Sequence, residues 1–221
     1  MQIIWHGQSC FEIIIAKGKG ESITILVDPA SEAKTGLKNP KTGAQIVLLT
    51  NSVYTAGKGD LEKIAPGAFV IDGPGEYEVK GIYIRGTDFN FGKKEPSEKA
   101  LAGAIYTIEA EEMKLCHLGN FAEKELTIPQ VEKIGNIDIL MFPAGDGKNF
   151  GAKEALKVLS QIEPSIAVPM NYQTPKLKID AGDLKEFLRA AGVAQIEPLP
   201  KLTIKKKEIR AEEAKIIVLI P

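Results

Sequence analysis

Residues 44–56 read Ala44-Gln45-Ile46-Val47-Leu48-Leu49-Thr50-Asn51-Ser52-Val53-Tyr54-Thr55-Ala56. The first half is a nearly continuous apolar run. A run without polar alternation predicts a strand over 44–50 that is buried on both faces. From Asn51 onward small and polar residues take over, and they predict a loop over 51–58 at the strand's C-terminal end. A strand covered on both faces needs a packed layer on either side, so the rest of the chain has to supply those layers.

Upstream, residues 2–5, 10–16 and 22–27 are rich in Ile and Val and read as strands, with Gly18 and Gly20 as hairpin punctuation and Asp28-Pro29 as the stop. Downstream, 68–71 reads as a short strand. Gly73-Pro74-Gly75 then turns the chain into 76–85, a single strand alternating through Tyr77, Val79, Ile82 and Ile84 with Gly81 as a bulge. Residues 87–101 have no apolar period and read as a surface loop. Strands over 104–109 and 113–118 follow.

Beyond them helix and strand alternate. Thr127-Ile128-Pro129-Gln130 has the form of a capping box and starts a helix to Ile134. Ala152, Ala155, Leu156, Leu159 and Ile162 share one helical stripe, and Leu184, Phe187, Leu188 and Ala191 a second, closed by Gly192. Strands are expected over 137–142, 166–169, 201–206 and 215–220. Strands first and helix–strand alternation afterward predict one α/β domain over 1–221 with mixed sheets. Two such sheets packed together, with helices outside, make a four-layer αββα sandwich.

The bulk numbers exclude several classes. Among 221 residues, 44% hydrophobic and 26% charged is the balance of a soluble globular protein. A net charge of −1 gives no general attraction to nucleic acid or to an anionic membrane. The apolar runs are too short to span a bilayer, and the N-terminus lacks a basic region before a long apolar stretch. Cys10 and Cys116 read as buried thiols of a reducing compartment, so the expected location is the cytoplasm. The sequence holds two histidines, His6 and His117, which excludes a site built from several imidazoles but not one built from carboxylates.

Several segments then carry a resemblance. Trp5-His6-Gly7-Gln8-Ser9-Cys10-Phe11, Leu26-Val27-Asp28-Pro29, Ile46-Val47-Leu48-Leu49-Thr50, Cys116-His117-Leu118-Gly119-Asn120, Ile137-Asp138-Ile139-Leu140-Met141 and Val168-Pro169-Met170-Asn171-Tyr172 follow one another in order. Together they resemble the metallo-β-lactamase superfamily, in its branch of predicted Zn-dependent hydrolases related to the ascorbate-phosphate lactonases. The resemblance implies one or two Zn²⁺ or Mn²⁺ ions on a His-x-His-x-Asp-His loop, a later His, an Asp and a final His, which lower the pKa of a bound water.

Position by position, this chain departs from that pattern. Asn51, Val53, Thr55 and Ala56 stand at the four places of the metal loop, Phe91 at the third motif, Asn120 at the bridging Asp and Asn171 at the final His. Val and Ala cannot ligate, and Asn and Thr are poor donors for Zn²⁺. The resulting expectation is a pseudoenzyme: a metal-free, non-catalytic relative with no cofactor, acting as a binding or assembly subunit, as a homo-oligomer or with an active paralogue. In this reading Gln8, Asn51, Thr55, Asn120 and Asn171 hydrogen-bond in place of the metal cluster.

Two alternatives stay open. One is a hydrolase of small esters, lactones or phosphoesters that uses residual groups of the old cleft, with Gln8, Asp28, Asp88, His117 and Tyr172 as candidates. The other is an RNA- or nucleotide-binding module, against which the absence of basic bias and of stacking residues counts. Asp28 before Pro29 reads as a turn-former or a lone ligand. Gly73-Pro74-Gly75 and Gly145-Asp146-Gly147-Lys148 read as turns before they read as phosphate cradles. The lysines between 201 and 210 read as a blunted edge strand before a nucleic-acid patch.

Overall fold

The computed structural model describes residues 1–51, 53–91, 101–145, 150–209 and 214–221, with side chains omitted at 90, 91, 101 and 102. Two mixed sheets form the frame. In the six-stranded sheet, β1 (Gln2–Trp5), β2 (Phe11–Gly18) and β3 (Glu21–Val27) make an antiparallel meander. β4 (Ile46–Leu48) and β5 (Phe69–Ile71) extend it in parallel, and β12 (Leu202–Thr203) pairs with β1 at the other edge.

The seven-stranded sheet runs in the order β13, β11, β10, β9, β8, β7, β6. Its antiparallel part is β6 (Gly75–Val79), β7 (Ile82–Phe91), β8 (Leu101–Ala110) and β9 (Met113–His117). Its parallel part continues from β9 through β10 (Ile139–Pro143), β11 (Ile166–Met170) and β13 (Lys215–Ile216).

Burial explains the layering. β2 alternates buried and half-buried along Phe11–Ile15, and its buried set, Phe11, Ile13 and Ile15, joins Ile25, Ile84, Tyr106, Met141 and Val168 between the sheets. β4 is buried at all three positions because both of its faces are covered. Ile46 and Leu48 enter the inter-sheet core, while Val47 packs outward with Leu61 and Ala65 of helix α2 (Lys58–Ile64) and its C-cap.

On the far side Cys116, Leu118, Leu140 and Phe142 meet Ala155 and Val158 of α4 (Ala152–Ile162) and Phe187 of α5 (Leu184–Ala190). The order helix, sheet, sheet, helix is the expected αββα sandwich. Among the described residues no helix is long and apolar enough to cross a membrane.

The structure departs from the sequence reading in four places. Residues 76–85 are not one bulged strand: Lys80 and Gly81, both left-handed at φ 54° and 70°, make a two-residue hairpin turn between β6 and β7. The expected loop over 87–101 is strand at both ends, since β7 runs to Phe91 and β8 starts at Leu101, and residues 92–100 lie outside the described set. Helices α1 (Glu32–Thr35) and α2 were not expected. They are short, and packing rather than propensity holds α2 in place. The last two expected strands are shorter: that over 201–206 shrinks to Leu202–Thr203 and passes into a 3₁₀ turn at Lys206–Glu208, and that over 215–220 shrinks to Lys215–Ile216.

The capping box forms as expected on α3 (Ile128–Ile134). Thr127 Oγ1 accepts from the Gln130 backbone N–H, and Gln130 Oε1 accepts from the Thr127 N–H at 2.8 Å. Thr127→Ala is expected to cost about 1 kcal/mol, a drop of about 2–4 °C in Tm. Thermal unfolding followed by circular dichroism checks it, and an unchanged Tm would show that the cap carries no net stability.

Candidate functional site

The C-terminal ends of the parallel strands in both sheets open on one edge of the sandwich, the place where α/β sheets gather ligands. Val27 of β3 pairs with Leu48 of β4, so Asp28 and Thr50 leave the first sheet side by side. His117, Pro143 and Met170 end β9, β10 and β11 of the second sheet. The two sheets are stitched together there. The Ala104 N–H donates to the Thr50 carbonyl at 2.8 Å, and His117 Nε2 lies 3.0 Å from the Ser9 carbonyl.

Asp28 is the hub. Thr50 donates to it twice, from N–H to Oδ1 at 2.7 Å and from Oγ1 to Oδ2 at 2.5 Å, and the nearby Ser9 hydroxyl also favours its charged form. Asn51 Nδ2 donates to Thr50 Oγ1 at 3.1 Å. Thr55 Oγ1 donates to the Asn51 carbonyl, and Asn51 Oδ1 accepts from the Val53 N–H. The Ala56 N–H donates to the Pro29 carbonyl, so the 51–56 loop folds back on the turn that carries Asp28. Across the cleft Asn171 Nδ2 donates to Asn120 Oδ1 at 2.7 Å.

The backbone is strained here. Gln8, Asp28 and Asn171 all sit in the left-handed region, at φ 50°, 45° and 55°. Non-glycine residues adopt it seldom, and such strain persists where the surroundings over-determine it, often at functional sites.

The other sequence candidates fall into place or out of it. His117 is fully buried. Its Nδ1 accepts from the Gly119 N–H at 3.1 Å, so Nε2 carries the proton and gives it to Ser9. Phe11 stands edge-on to the ring. With both nitrogens engaged, His117 is a structural tie and not a free base.

Tyr172 packs at a tilt against Trp5, with ring centroids 4.8 Å apart, and donates to the Leu219 carbonyl, a core role. Asp88 does not belong to the cleft. Its side chain is 71% exposed and pairs with Lys133 of α3 at 3.2 Å, because β7 turns it outward. The Phe91 side chain lies outside the described residues. His6 pairs with Glu12 at 3.2 Å.

The expected amide network forms in part: Asn120 bonds Asn171 and Thr55 bonds Asn51, while Gln8 Nε2 has no partner among the described residues. The role of Asp28 as hub was hidden by its Asp-Pro context, which reads as a turn. The signal that could have found it is its position between two hydroxyl residues, Ser9 and Thr50, each in a strand-end motif.

Burial pushes the Asp28 carboxyl up from 3.8 to about 6, against the Thr50 and Ser9 bonds that lower it. Folding therefore favours protonated Asp28, and the stability this adds is full below 3.8 and lost as pH rises through about 6. Burial holds His117 down from 6.5 to about 3. Its contribution runs the other way: it is present above 6.5 and lost as pH falls through about 3.

Between pH 4 and 6 the two groups oppose each other. Asp28→Asn removes one arm, so its stability is expected to fall more steeply with acid than that of the wild type. Urea midpoints at pH 4 and pH 7 check this, and equal slopes for the two proteins would contradict the assignment.

With the geometry in view, comparison with known proteins places the chain. Residues 2–171 match the family model described as the beta-lactamase superfamily domain, and the chain belongs to the metallo-β-lactamase superfamily. It is 33% identical over 85% of its length to a UPF0173 metal-dependent hydrolase of Thermococcus onnurineus, covering 92% of that protein. It is 24% identical over 87% of its length to one of Methanopyrus kandleri, covering 94% of that protein. A solved structure from Thermotoga maritima, assigned to the metallo-β-lactamase superfamily as a Zn-dependent hydrolase, superposes with a TM-score of 0.76 at 29% identity, over 99% of this chain and 97% of that one.

These relatives correct one expectation. A metal-free, non-catalytic binding or assembly subunit finds no support among proteins named as metal-dependent hydrolases, and the hydrolase alternative fits them better. Their names say nothing of an ascorbate-phosphate lactone.

The residues present do not fit the histidine-borne zinc centre of the superfamily. Among the described residues no three His, Cys, Asp or Glu side chains gather to hold an ion. Both oxygens of Asp28 are already engaged by Thr50, and the Asn120–Asn171 pair is neutral.

Proposed function

We propose that the chain is a hydrolase of small esters, lactones or phosphoesters that works with the groups resident in this cleft. The observation that carries the reading is the buried carboxylate of Asp28 held against the Thr50 hydroxyl, with the Ser9 hydroxyl nearby, at the strand ends where the two sheets meet. A carboxylate accepting a hydroxyl proton at 2.5 Å is placed to take that proton as the hydroxyl, or a water bonded to it, attacks an acyl or phosphoryl centre, and to return it to the leaving group as the bond to that group breaks. In this reading Asn51, Val53, Thr55, Ala56, Phe91, Asn120 and Asn171 occupy the former metal positions and leave proton transfer to Asp28.

A location in the cytoplasm agrees with the buried free thiols of Cys10 and Cys116, both pushed well up by burial and so unreactive. The test is a panel of p-nitrophenyl acetate, a thiolactone and p-nitrophenyl phosphate assayed with the purified full chain. Turnover above buffer of at least one of them is the expected result. Buffer-level rates on all three would refute the reading.

A further inference from the structure

Among the described residues, three buried side-chain atoms at this edge have no partner: Gln8 Nε2, Asn120 Nδ2 and Asn171 Oδ1. All three residues are more than nine-tenths buried, where an unmade hydrogen bond is costly.

The orientation of the amides is fixed by what they touch. Asn171 Nδ2 faces two acceptors, the Gly119 carbonyl at 3.4 Å and Asn120 Oδ1 at 2.7 Å, so its free atom is the oxygen. Asn120 spends its oxygen on Asn171, so its free atom is the N–H₂ group. The unmet set is therefore two donors and one acceptor.

The three residues meet at one edge: His117, which leads into Asn120, holds the carbonyl of Ser9, beside Gln8, at 3.0 Å, and Asn120 is bonded to Asn171 at 2.7 Å. The Trp5 ring packs at a tilt against Tyr172, the neighbour of Asn171, while its indole N–H donates to the Gln8 carbonyl at 2.7 Å. The charged side chain tied into the same edge, Asp28, is a carboxylate, linked through Thr50 to Asn51.

We propose that Gln8, Asn120 and Asn171 form a recognition subsite for an uncharged carboxamide group. Its carbonyl oxygen has two lone pairs, one each for Gln8 Nε2 and Asn120 Nδ2, and its N–H donates to Asn171 Oδ1. A carboxylate or phosphate meets the same two donors but sets an anion against Asn171 Oδ1, on the edge that also carries Asp28. An ester leaves Asn171 Oδ1 unmet. The hydrolase reading enters only in calling the bound molecule a substrate; the subsite itself stands on the three unpaired atoms.

The test uses the full chain and three ligands with the same ring: benzamide, benzoate and phenyl phosphate. The readout is NMR of the indole N–H of Trp5, the single tryptophan, and of the side-chain N–H₂ groups of Gln8 and Asn120. Benzamide is expected to shift these resonances saturably, and benzoate and phenyl phosphate to bind at least about tenfold more weakly. Asn120→Asp removes one donor at constant size and is expected to weaken benzamide by about tenfold. Gln8→Glu makes the same test from the turn should the first variant fold poorly.

Benzoate or phenyl phosphate binding as tightly as benzamide would overturn the proposal. So would benzamide leaving all three groups unmoved. Turnover separates the two readings: benzamide binding without hydrolysis of any panel substrate refutes the hydrolase and keeps the subsite, whereas hydrolysis without benzamide binding does the reverse.

Discussion

Gly119→Ala is expected to lower the thermal midpoint by about 10 °C, a loss of about 2–5 kcal/mol from strain and overpacking together. Gly119 sits at φ 61°, and a Cβ there would fall within the van der Waals surface of the Thr50 side chain. Thr50 cannot step aside. Its N–H and hydroxyl hold Asp28, and its carbonyl accepts from Ala104. The variant therefore disturbs the stitch between the two sheets as well as the cleft.

Gly20 supplies the control. It too is left-handed, at φ 79°, but an added Cβ meets nothing within 4 Å. Gly20→Ala should cost about 1–2 kcal/mol, the backbone strain alone. Thermal unfolding of both variants checks the contrast, and equal losses would show that the close approach of Gly119 to Thr50 is unimportant.

Asp28→Asn is expected to lower kcat/KM by at least about 100-fold on any substrate the wild type turns over. The amide keeps the size of the carboxylate but loses its proton affinity, and one of its two ends becomes a donor facing the donors of Thr50 and Ser9. That mismatch also costs stability, about 1–3 kcal/mol. Kinetics at a temperature where both proteins are folded, confirmed by circular dichroism, separate the two effects. An Asp28→Asn protein with wild-type kcat/KM would remove Asp28 from the chemistry.

Much of the fold was legible in the residues. The doubly buried β4 follows from the unbroken apolar run over 46–49, and α4 and the cap of α3 follow from periodicity and from Thr127 and Gln130. Lys80-Gly81 was misread because a single glycine in an alternating segment fits a bulge as well as a hairpin. Only the left-handed conformation of both residues decides between them. α2 was missed because Gly57 caps and Gly59 interrupts the first turn of a helix held by the contacts of Leu61 and Ala65 with the sheet, a tertiary effect that no local pattern shows.

The candidate site was legible as a set of positions but not as a set of roles. Gln8, Asn51, Asn120 and Asn171 arrive at one edge because their strands do. Asp88 does not, since its place on β7 faces α3. Missing histidines revealed which chemistry the residues do not support, and reading that as loss of hydrolysis went too far. What the remaining groups do depends on the hydroxyl contacts of Asp28, which become visible only once β3 and β4 lie side by side.

The most direct test of this account is turnover of the ester, thiolactone and phosphoester panel by chelator-treated wild-type protein beside Asp28→Asn. Hydrolysis that survives the chelator and disappears in Asp28→Asn is the predicted result. Hydrolysis that vanishes with the chelator and returns with added Zn²⁺, or that is indifferent to Asp28, would contradict it.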